Sequence, residues 1–460
     1  MGVIRMQIFM KIIMLIISII YLILIFKTKE KYKLIINRYF WLFGSWIVCL
    51  LLYFFSGIKY TFNLTIISFG FIFLSLFLFV IGNYISKKIN LKFVDNIKIN
   101  GDNKKINFLP LFLVSLFFTI FYVIYIFINN NIIFGVTRDI KTNFLTTIFL
   151  FISSSSLIIW LYELSYSLIN NKKISWYALV SAILFNIPGL VISGRDALMI
   201  FLITTFIIFI YCGNYAIKEL KKPSLMYKKI LKYSIVVLFV ILIYLIFLSS
   251  NRYGKDENAP LNMFEYSAGC KFPHYLKKIS EVSPSVGNFT NNIVFYYSSQ
   301  ISKYAFVFDN YNGPYLYGFY QLHYISRRFP ENSKLRYNLV GNELKRLTTN
   351  YKIPALKVLW ETALGYSIYD FGRIGTLVAS VIGGTITGLI SRIIYKKNAI
   401  FSTLINTFIC LAMFMTVEFS PLFDYFYIFP LIWLIIIIFI IHRKNRDKKA
   451  LKLKNNSIKK

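Results

Sequence analysis

The sequence predicts an all-α polytopic membrane protein with about eleven transmembrane helices and one large extracytoplasmic loop domain. The first observation is composition, because 57% of the 460 residues are hydrophobic and 15% are charged, too apolar for a soluble fold of this length. The second is a series of apolar runs of about 20 residues, the length that crosses a hydrocarbon core of about 30 Å. The third is a polar segment at 251–373, rich in tyrosine and arginine, that interrupts these runs.

The apolar runs define the spans in chain order. The first lies beside Arg5 and Lys11, but it is too long for the apolar region of a signal peptide and lacks a clear A-x-A site, so it is interpreted as an uncleaved span. The predicted spans are 6–26, 39–56, 62–82, 108–129, 144–168, 174–192, 196–212, 233–250, 374–394, 399–416 and 425–441. The predicted regions are an N-terminal membrane bundle (1–250), the loop domain (251–373), the C-terminal spans (374–441) and a basic tail (442–460).

The net charge of +33 indicates orientation in a membrane and not a nucleic-acid partner. Alternate loops with the tail hold 31 basic and 5 acidic residues, and they are 27–38, 87–107, 172–173, 218–232, 392–397 and the residues after His442. The positive-inside rule places these segments in the cytoplasm, and it places the N-terminus and the 251–373 loop outside. The abundant Ile, Lys and Asn are typical of an AT-rich bacterial genome, so the expected location is a bacterial cytoplasmic membrane.

Several classes of chemistry leave no motif in the sequence. It contains no H-E-x-x-H, no paired C-x-x-C and no D-x-D, so we expect no metal site. It also lacks a Walker or G-x-G-x-x-G loop in a basic cytoplasmic segment, so we expect neither an ATP site nor another cofactor. The four cysteines are scattered, and no disulfide framework follows from their spacing.

Two arginines lie at the predicted outer membrane surface directly beside apolar runs. Arg195 belongs to I-S-G-R-D-A-L at 192–198, and Arg252 belongs to S-S-N-R-Y-G at 249–254. One interpretation is structural, with arginines that extend to lipid phosphates or anchor the interface. The functional interpretation is that both bind a phosphate or diphosphate at the bilayer edge, with Asp196 orienting Arg195.

A third constellation extends along the outer loop. Its polar candidates are His323, Arg327 and Arg328 in Q-L-H-Y-I-S-R-R, then Glu343, Glu361 in W-E-T, and Asp370 with Arg373 in D-F-G-R. Leucines at 335, 339, 344 and 347 predict a short helix that lies on the membrane or the bundle. Aromatic faces stack on sugar rings and arginines bind phosphates, so this mixture suits a lipid-linked glycan, although a membrane-interface belt has the same composition.

The ninth span carries small residues at four-residue spacing. Gly375, Ala379 and Gly383 form one row, and Gly384 with Gly388 forms another. Such rows allow close packing of helices, so this span is expected to be central in the bundle, with Asp370 near its outer end.

In this layout the chain resembles the Wzy-type polymerases, which join undecaprenyl-diphosphate-linked oligosaccharide repeats into O-antigen or capsular polysaccharide. The resemblance consists of about eleven spans, S-G-R-D after the sixth, N-R after the eighth, H-Y-I-S-R-R in the outer loop, and W-E-T before Y-D-F-G-R-I-G. It implies a membrane glycosyltransferase of the lipid-phosphosugar-dependent group that works on the outer face without nucleotide sugar or metal. It also implies a flippase and a chain-length regulator of the same pathway as candidate partners.

The resemblance makes Arg195, Arg252, Arg327 and Arg328 candidates for contact with the diphosphate or the glycan, and Arg373 lies near the same outer end of the ninth span. Proton removal from the acceptor hydroxyl needs a general base, for which the candidates are Asp370, His323, Glu361 and Glu343. Three other functions remain open. An O-antigen ligase shares the donor, a flippase would carry more charge within its spans, and a scaffold would leave the outer arginines without a role.

Overall fold

The computed structural model describes residues 2–28, 31–35, 37–89, 105–129, 143–191, 196–220, 259–330, 332–350, 361–394, 399–418 and 420–458. These parts of the chain are mostly helical. Their α-helices are α1 (Gly2–Lys27), α2 (Lys31–Ile35), α3 (Arg38–Phe55), α4 (Ile66–Lys88), α5 (Leu109–Asn129), α6 (Phe144–Ser153), α7 (Ser155–Asn170), α8 (Trp176–Val191), α9 (Asp196–Leu220), α10 (Ala259–Ala268), α11 (His274–Val282), α12 (Pro284–Asn310), α13 (His323–Ser326), α14 (Asn338–Asn350), α15 (Ala363–Ile394), α16 (Ala399–Met415) and α17 (Tyr425–Ile458). A short antiparallel pair, β1 (Lys59–Tyr60) with β2 (Cys270–Lys271), and a 3-10 turn at Pro421–Phe423 complete the described elements.

The chain is an all-α membrane protein, as its composition predicts. Within the described residues, seven helices are long and apolar enough to cross a membrane, and three shorter apolar helices are Trp176–Val191, Ile400–Met415 and Tyr425–Ile441. All ten coincide with predicted spans. The predicted span at 233–250 lies outside the described residues, so the total of about eleven stays a prediction.

The ninth predicted span begins earlier than its apolar run. Helix α15 starts at Ala363, whereas the apolar run predicts a start at 374. The difference between the two start positions is explained by Gly372, whose φ of +69° interrupts the helical conformation inside α15. Glycine adopts this left-handed region without the steric cost that a side chain imposes. The first turns of α15, which carry Tyr366, Tyr369 and Asp370, therefore lie before the kink, and the apolar run follows it.

Contacts divide the described chain into two units. Unit 1 comprises residues within Met1–Lys88, Ser234–Gly388 and Ala412–Asp424, and unit 2 comprises those within Ile89–Tyr233, Leu389–Leu411 and Tyr425–Lys460. Unit 1 therefore combines the first spans with described parts of the predicted loop domain. The boundaries at 250 and 373 describe topology rather than packing, and they stay a prediction.

Helix α12 is the structural centre of unit 1 outside its apolar spans. It begins with Pro284 at its first turn, where the missing amide hydrogen costs nothing, and it packs against α3, α10 and α11. Its buried residues include many polar ones: Asn288, Asn291, Asn292, Ser298, Ser299, Gln300, Ser302 and Lys303. Tyr60 and Ser298 share a hydrogen bond of 2.6 Å, and Ser302 donates to the carbonyl of Phe62, so the segment after α3 is fixed to this helix.

In unit 1, helices α4 and α15 approach each other closely through glycines. A Cβ on Gly82 would lie 2.0 Å from the carbonyl oxygen of Val381, and a Cβ on Gly384 would lie 2.0 Å from that of Phe79. Asn83 donates to the carbonyl of Gly384 at 3.3 Å across the same contact. The predicted small-residue packing is thus observed, and the row with Gly384 makes the close contact.

We expect Gly82→Ala and Gly384→Ala each to lower the thermal unfolding midpoint of the purified protein. Neither methyl group fits without separation of the two backbones, and such overpacking costs about 1–3 kcal/mol. Gly70→Ala is the matched control on α4, because a Cβ there meets nothing within 4 Å. A midpoint for Gly82→Ala equal to that of Gly70→Ala would contradict the close contact.

In unit 2, an acidic residue within a predicted span has one ionic and two hydrogen-bonding partners. Glu163 on α7 is buried and accepts hydrogen bonds from Ser175 at 2.6 Å and Tyr177 at 2.7 Å. Lys105 forms an ion pair with the same carboxylate at 3.0 Å. The carboxylate thereby connects the start of α8 and the segment before α5 to α7, which is a structural role for the intraspan acid.

Candidate functional site

Unit 1 contains a buried ion pair. Nζ of Lys303 on α12 is 2.9 Å from Oε1 of Glu361, and both side chains are almost completely removed from solvent. Isolated charges are very costly in such a place, so two charged residues are retained there only with partners. Glu361 is one of the predicted candidates for a general base, whereas Lys303 was not singled out in the sequence.

The start of α15 positions Glu361. The hydroxyl of Thr362 accepts a hydrogen bond of 3.2 Å from the amide of Gly365, which caps the helix. A Cβ at Gly365 would lie 3.1 Å from Oε2 of Glu361, so glycine leaves room for the carboxylate over the first helical turn. A carboxylate at a helix N-terminus also gains from the helix dipole.

Burial and the ion pair act in opposite directions on these two groups. Burial raises the pKa of Glu361, while the charge of Lys303 and the nearby hydroxyl of Tyr369 act to lower it. Burial lowers the pKa of Lys303, and the charge of Glu361 opposes that shift. Each group thus depends on the other to remain ionised. Within the described residues, Oε2 of Glu361 makes no hydrogen bond of normal geometry.

A cluster of aromatic rings surrounds this part of unit 1. We call it the tyrosine cluster, and its members are Tyr311, Tyr320, Tyr337, Tyr366, Tyr369 and Phe423. Tyr320 stacks on Tyr337 with ring centroids 4.8 Å apart, and it meets Tyr369 edge to face at the same separation. Tyrosines combine a large apolar area with a polar hydroxyl, so the cluster packs closely and also contains hydrogen-bonding groups.

His323 at the start of α13 is part of the same aromatic environment. Its ring stacks on Phe423 with centroids 3.9 Å apart, and only 4% of the residue is exposed. Burial and the neighbouring Arg327 lower the pKa of His323 to about 3. The imidazole is therefore neutral at physiological pH, and burial lowers its pKa more than the charge of Arg327 does.

Asp370 organises the turn that leads into the tyrosine cluster. Its carboxylate accepts hydrogen bonds from the amides of Tyr320 at 2.8 Å and Gln321 at 3.2 Å, and it is completely buried. Its carbonyl accepts another from the amide of Tyr317 at 2.9 Å. Arg373 instead donates to the carbonyl of Phe308 at 2.7 Å. The geometry favours Asp370 as a structural residue that holds the 316–321 segment.

We expect Asp370→Asn to lower the protein level and the activity together. The amide replaces one acceptor oxygen by a donor that faces the backbone amides of Tyr320 and Gln321, and an unsatisfied buried group costs about 1–3 kcal/mol. Glu281→Gln is the control, because that acidic residue is exposed on α11. Normal protein level with turnover abolished would instead identify Asp370 as the base.

The hydroxyl of Tyr311 is affected by the charges of three acidic residues that the sequence predicts as candidate bases. Burial raises the pKa of Tyr311, and the charges of Glu343, Glu361 and Asp370 raise it further. Glu343 itself accepts two hydrogen bonds from Arg346, from Nε at 2.8 Å and from Nη2 at 2.6 Å, on the surface of α14. These bonds lower the pKa of Glu343, which is therefore ionised and already paired. Helix α14 is the short helix that the leucine spacing predicts.

The arginines divide into three groups. Arg327 is exposed, and its guanidinium lies 4.7 Å from the ring centroid of Tyr337, while Arg328 is exposed beside it. The guanidinium of Arg373 makes two hydrogen bonds within the protein, to the carbonyl of Phe308 and to the side chain of Asn312 at 3.1 Å. The other two predicted phosphate ligands, Arg195 and Arg252, lie outside the described residues.

The structure brings His323, Glu361, Asp370 and the edge arginine Arg327 to the tyrosine cluster, while Glu343 is paired with Arg346 on the surface of α14. Sequence reasoning missed two members of this site, Lys303 and Tyr369. A lysine in S-Q-I-S-K-Y between apolar residues resembles an ordinary surface lysine, and its partner is far away in the chain. The sequence contains one indication of a helix here: Lys303 follows Ser299 and Gln300 in a long stretch without proline. Such a stretch is compatible with a buried polar helix.

Among the described residues, no group of three or more His, Cys, Asp or Glu could hold a metal ion. No family model matches the chain, and comparisons with curated proteins and with solved structures give no significant match. The chain is therefore characterised by its own structure. It is an all-α membrane protein, and its unit 1 contains a buried lysine–glutamate pair next to a cluster of tyrosines.

Proposed function

We propose that this protein polymerises undecaprenyl-diphosphate-linked oligosaccharide repeat units into O-antigen or capsular polysaccharide on the outer face of a bacterial cytoplasmic membrane. The observation that carries the proposal is the convergence of acids, a histidine and an exposed arginine on the tyrosine cluster. Tyr337 is the half-buried tyrosine of the cluster and lies beside Arg327, whereas the other tyrosines are buried behind it. Aromatic rings bind the faces of sugars, and arginines bind phosphate oxygens in pairs. A membrane protein that combines both suits a glycan attached to a lipid diphosphate.

The chemistry requires no energy source other than the donor. A glycosyl diphosphate is already activated, and departure of the lipid diphosphate builds negative charge that guanidinium groups stabilise. Arg327 is the described arginine best placed for this, since its guanidinium is exposed at the edge of the cluster. Arg195, Arg252 and Arg328 are the further proposed ligands of the diphosphate or glycan.

Glu361 is the proposed general base, and because its side chain is buried, this role requires the acceptor hydroxyl to enter past the tyrosine cluster. A base works best when its pKa lies near the working pH, and burial raises that of Glu361 from its usual range. Glu343 has the opposite shift and is paired with Arg346, while Asp370 is engaged by backbone amides. In the proposed step, Glu361 removes the proton from the acceptor hydroxyl, the hydroxyl oxygen bonds to the anomeric carbon, and the bond to the diphosphate breaks. A single displacement of this kind inverts the anomeric centre.

The proposal requires the site to face outward. We expect a membrane-impermeant thiol reagent to label cysteines placed at Tyr266, Asn312 and Lys345 in intact cells, but not at Lys88 or Lys172 until the cells are permeabilised. All five side chains are exposed, and the four native cysteines are buried, so access depends on topology. The inverse pattern would place the site in the cytoplasm and contradict the proposal.

Reconstitution tests the activity directly. The purified protein in proteoliposomes is incubated with lipid-linked repeat units extracted from the producing strain, without nucleotide sugar. The expected product is a ladder of lipid-linked oligomers that differ by one repeat. A single transfer to an added lipid A core without a ladder would identify a ligase, and movement of the unchanged repeat unit across the bilayer would identify a flippase.

A further inference from the structure

One tyrosine near the outer end of the ninth span is both strained and exposed. Tyr317 has φ of +52°, a left-handed conformation that costs a side-chain-bearing residue about 1–2 kcal/mol. Its amide donates to the carbonyl of Asp370, and the Asp370 carboxylate holds the next amides of the turn. The buried aspartate thus keeps Tyr317 in this conformation, with 70% of the residue exposed.

A second ring lies beside Gly318, the residue that follows this tyrosine. The ring of Phe371 is 36% exposed, and its Cζ would lie 3.6 Å from a Cβ on Gly318. Gly318 itself has φ of +97°, and its lack of a side chain leaves the space next to Phe371 open. We call Tyr317 and Phe371 the aromatic rim, since both present ring surface on the outside of the same turn.

Hydrogen-bonding groups follow directly after the rim. Arg373 is half-buried two residues after Phe371, and it donates to the side chain of Asn312, which is exposed. Asp309, also exposed, lies within electrostatic reach of Arg373. Apolar ring faces next to a carboxylate, an amide and a guanidinium match a pyranose, which has C–H faces and a perimeter of hydroxyls.

We propose that the aromatic rim is a sugar-binding subsite, on which a pyranose ring of the lipid-linked glycan stacks while Asp309 and Asn312 bind its hydroxyls. The inference rests on the proposed function and adds a place for the sugar residues at a distance from the reacting bond. A residue that only anchors the protein in the membrane interface has no need of a strained backbone, because extended and helical tyrosines serve there equally well. The strain at Tyr317 therefore indicates a ring held in one position for a ligand.

The test measures binding with the full-length protein in detergent. The probe is the oligosaccharide that mild acid releases from lipid-linked repeat units of the producing strain, and isothermal titration or saturation-transfer NMR gives its affinity. Tyr317→Asn removes the ring, and asparagine tolerates the left-handed conformation, so the turn is retained. We expect about tenfold weaker binding, and nearly unchanged binding for Tyr317→Trp, which keeps a flat ring.

Two further variants guard against a folding defect. Phe371→Leu should also weaken binding about tenfold, because it keeps apolar volume but removes the second ring face. Tyr266→Asn removes a comparably exposed tyrosine on α10 and should bind like the wild type. Wild-type affinity in both Tyr317→Asn and Phe371→Leu, or no binding by the wild type itself, would overturn the subsite.

The two proposals fail separately. If the wild type binds the oligosaccharide but the reconstituted protein forms no ladder, the polymerase is contradicted and the subsite stands. If a ladder forms and Tyr317→Asn binds as the wild type does, the polymerase stands and Tyr317 is only an interfacial anchor.

Discussion

Replacing Lys303 by methionine is expected to destabilise the protein severely. The change leaves the Glu361 carboxylate buried without its cation, and removal of one partner of a buried ion pair costs about 3–5 kcal/mol. The remaining carboxyl group can take up a proton, since burial already raises its pKa, and this limits the loss without abolishing it. The measurement is the thermal unfolding midpoint of the purified protein in detergent.

The double variant Lys303→Met/Glu361→Gln shows whether the loss of stability comes from the broken ion pair or from changed packing of the side chains. Both side chains are then neutral and similar in size to the originals, so most of the lost stability should return. Lys345→Met on α14 is the control, because it removes a lysine of the same length from the protein surface. If the double variant is as unstable as Lys303→Met, the ion pair is not what Lys303 contributes.

The same double variant is expected to lose polymer formation although its stability is restored. A positioned general base contributes about 10²–10⁴-fold to a rate, and glutamine cannot accept the proton. Turnover of lipid-linked repeat units in proteoliposomes, compared at equal amounts of folded protein, provides the measurement. Wild-type turnover in the double variant would exclude Glu361 as the base and leave Asp370, His323 and Glu343 as the candidates.

The pH dependence of the wild type supports the same assignment. A base must be deprotonated, so turnover should fall as the pH is lowered through the pKa of Glu361. Since burial raises that pKa, the decline should begin at a higher pH than for an exposed glutamate. A decline set by His323 would lie near pH 3, because its pKa is lowered to about 3.

The membrane helices could be predicted from the sequence because their determinant is local. An apolar run of about 20 residues is visible wherever it occurs, and ten described helices lie at predicted spans. The row containing Gly384 was also predictable, since small residues at four-residue spacing share one face of a helix. What this row packs against, namely Gly82 of α4, depends on a distant part of the chain and was not predicted.

The candidate site shows where such reasoning ends. Glu361, Asp370 and His323 are predicted from the sequence as titratable residues in short motifs along the outer loop. Their different roles depend on contacts: Lys303 pairs with Glu361, backbone amides bind Asp370, and a phenylalanine covers His323. None of these partners has a fixed spacing in the sequence. The buried helix α12 was hidden for a similar reason, because its polar residues resemble those of an exposed loop.

The polymerase proposal is tested most directly by the glycans of a strain that lacks this protein. We expect loss of the polymer ladder with retention of single repeat units on their final acceptor, and recovery of the ladder when the wild-type chain is returned but not when Lys303→Met/Glu361→Gln is returned. An unchanged ladder, long chains that stay on the lipid carrier, or the absence of every exported repeat unit would contradict polymerisation by this protein.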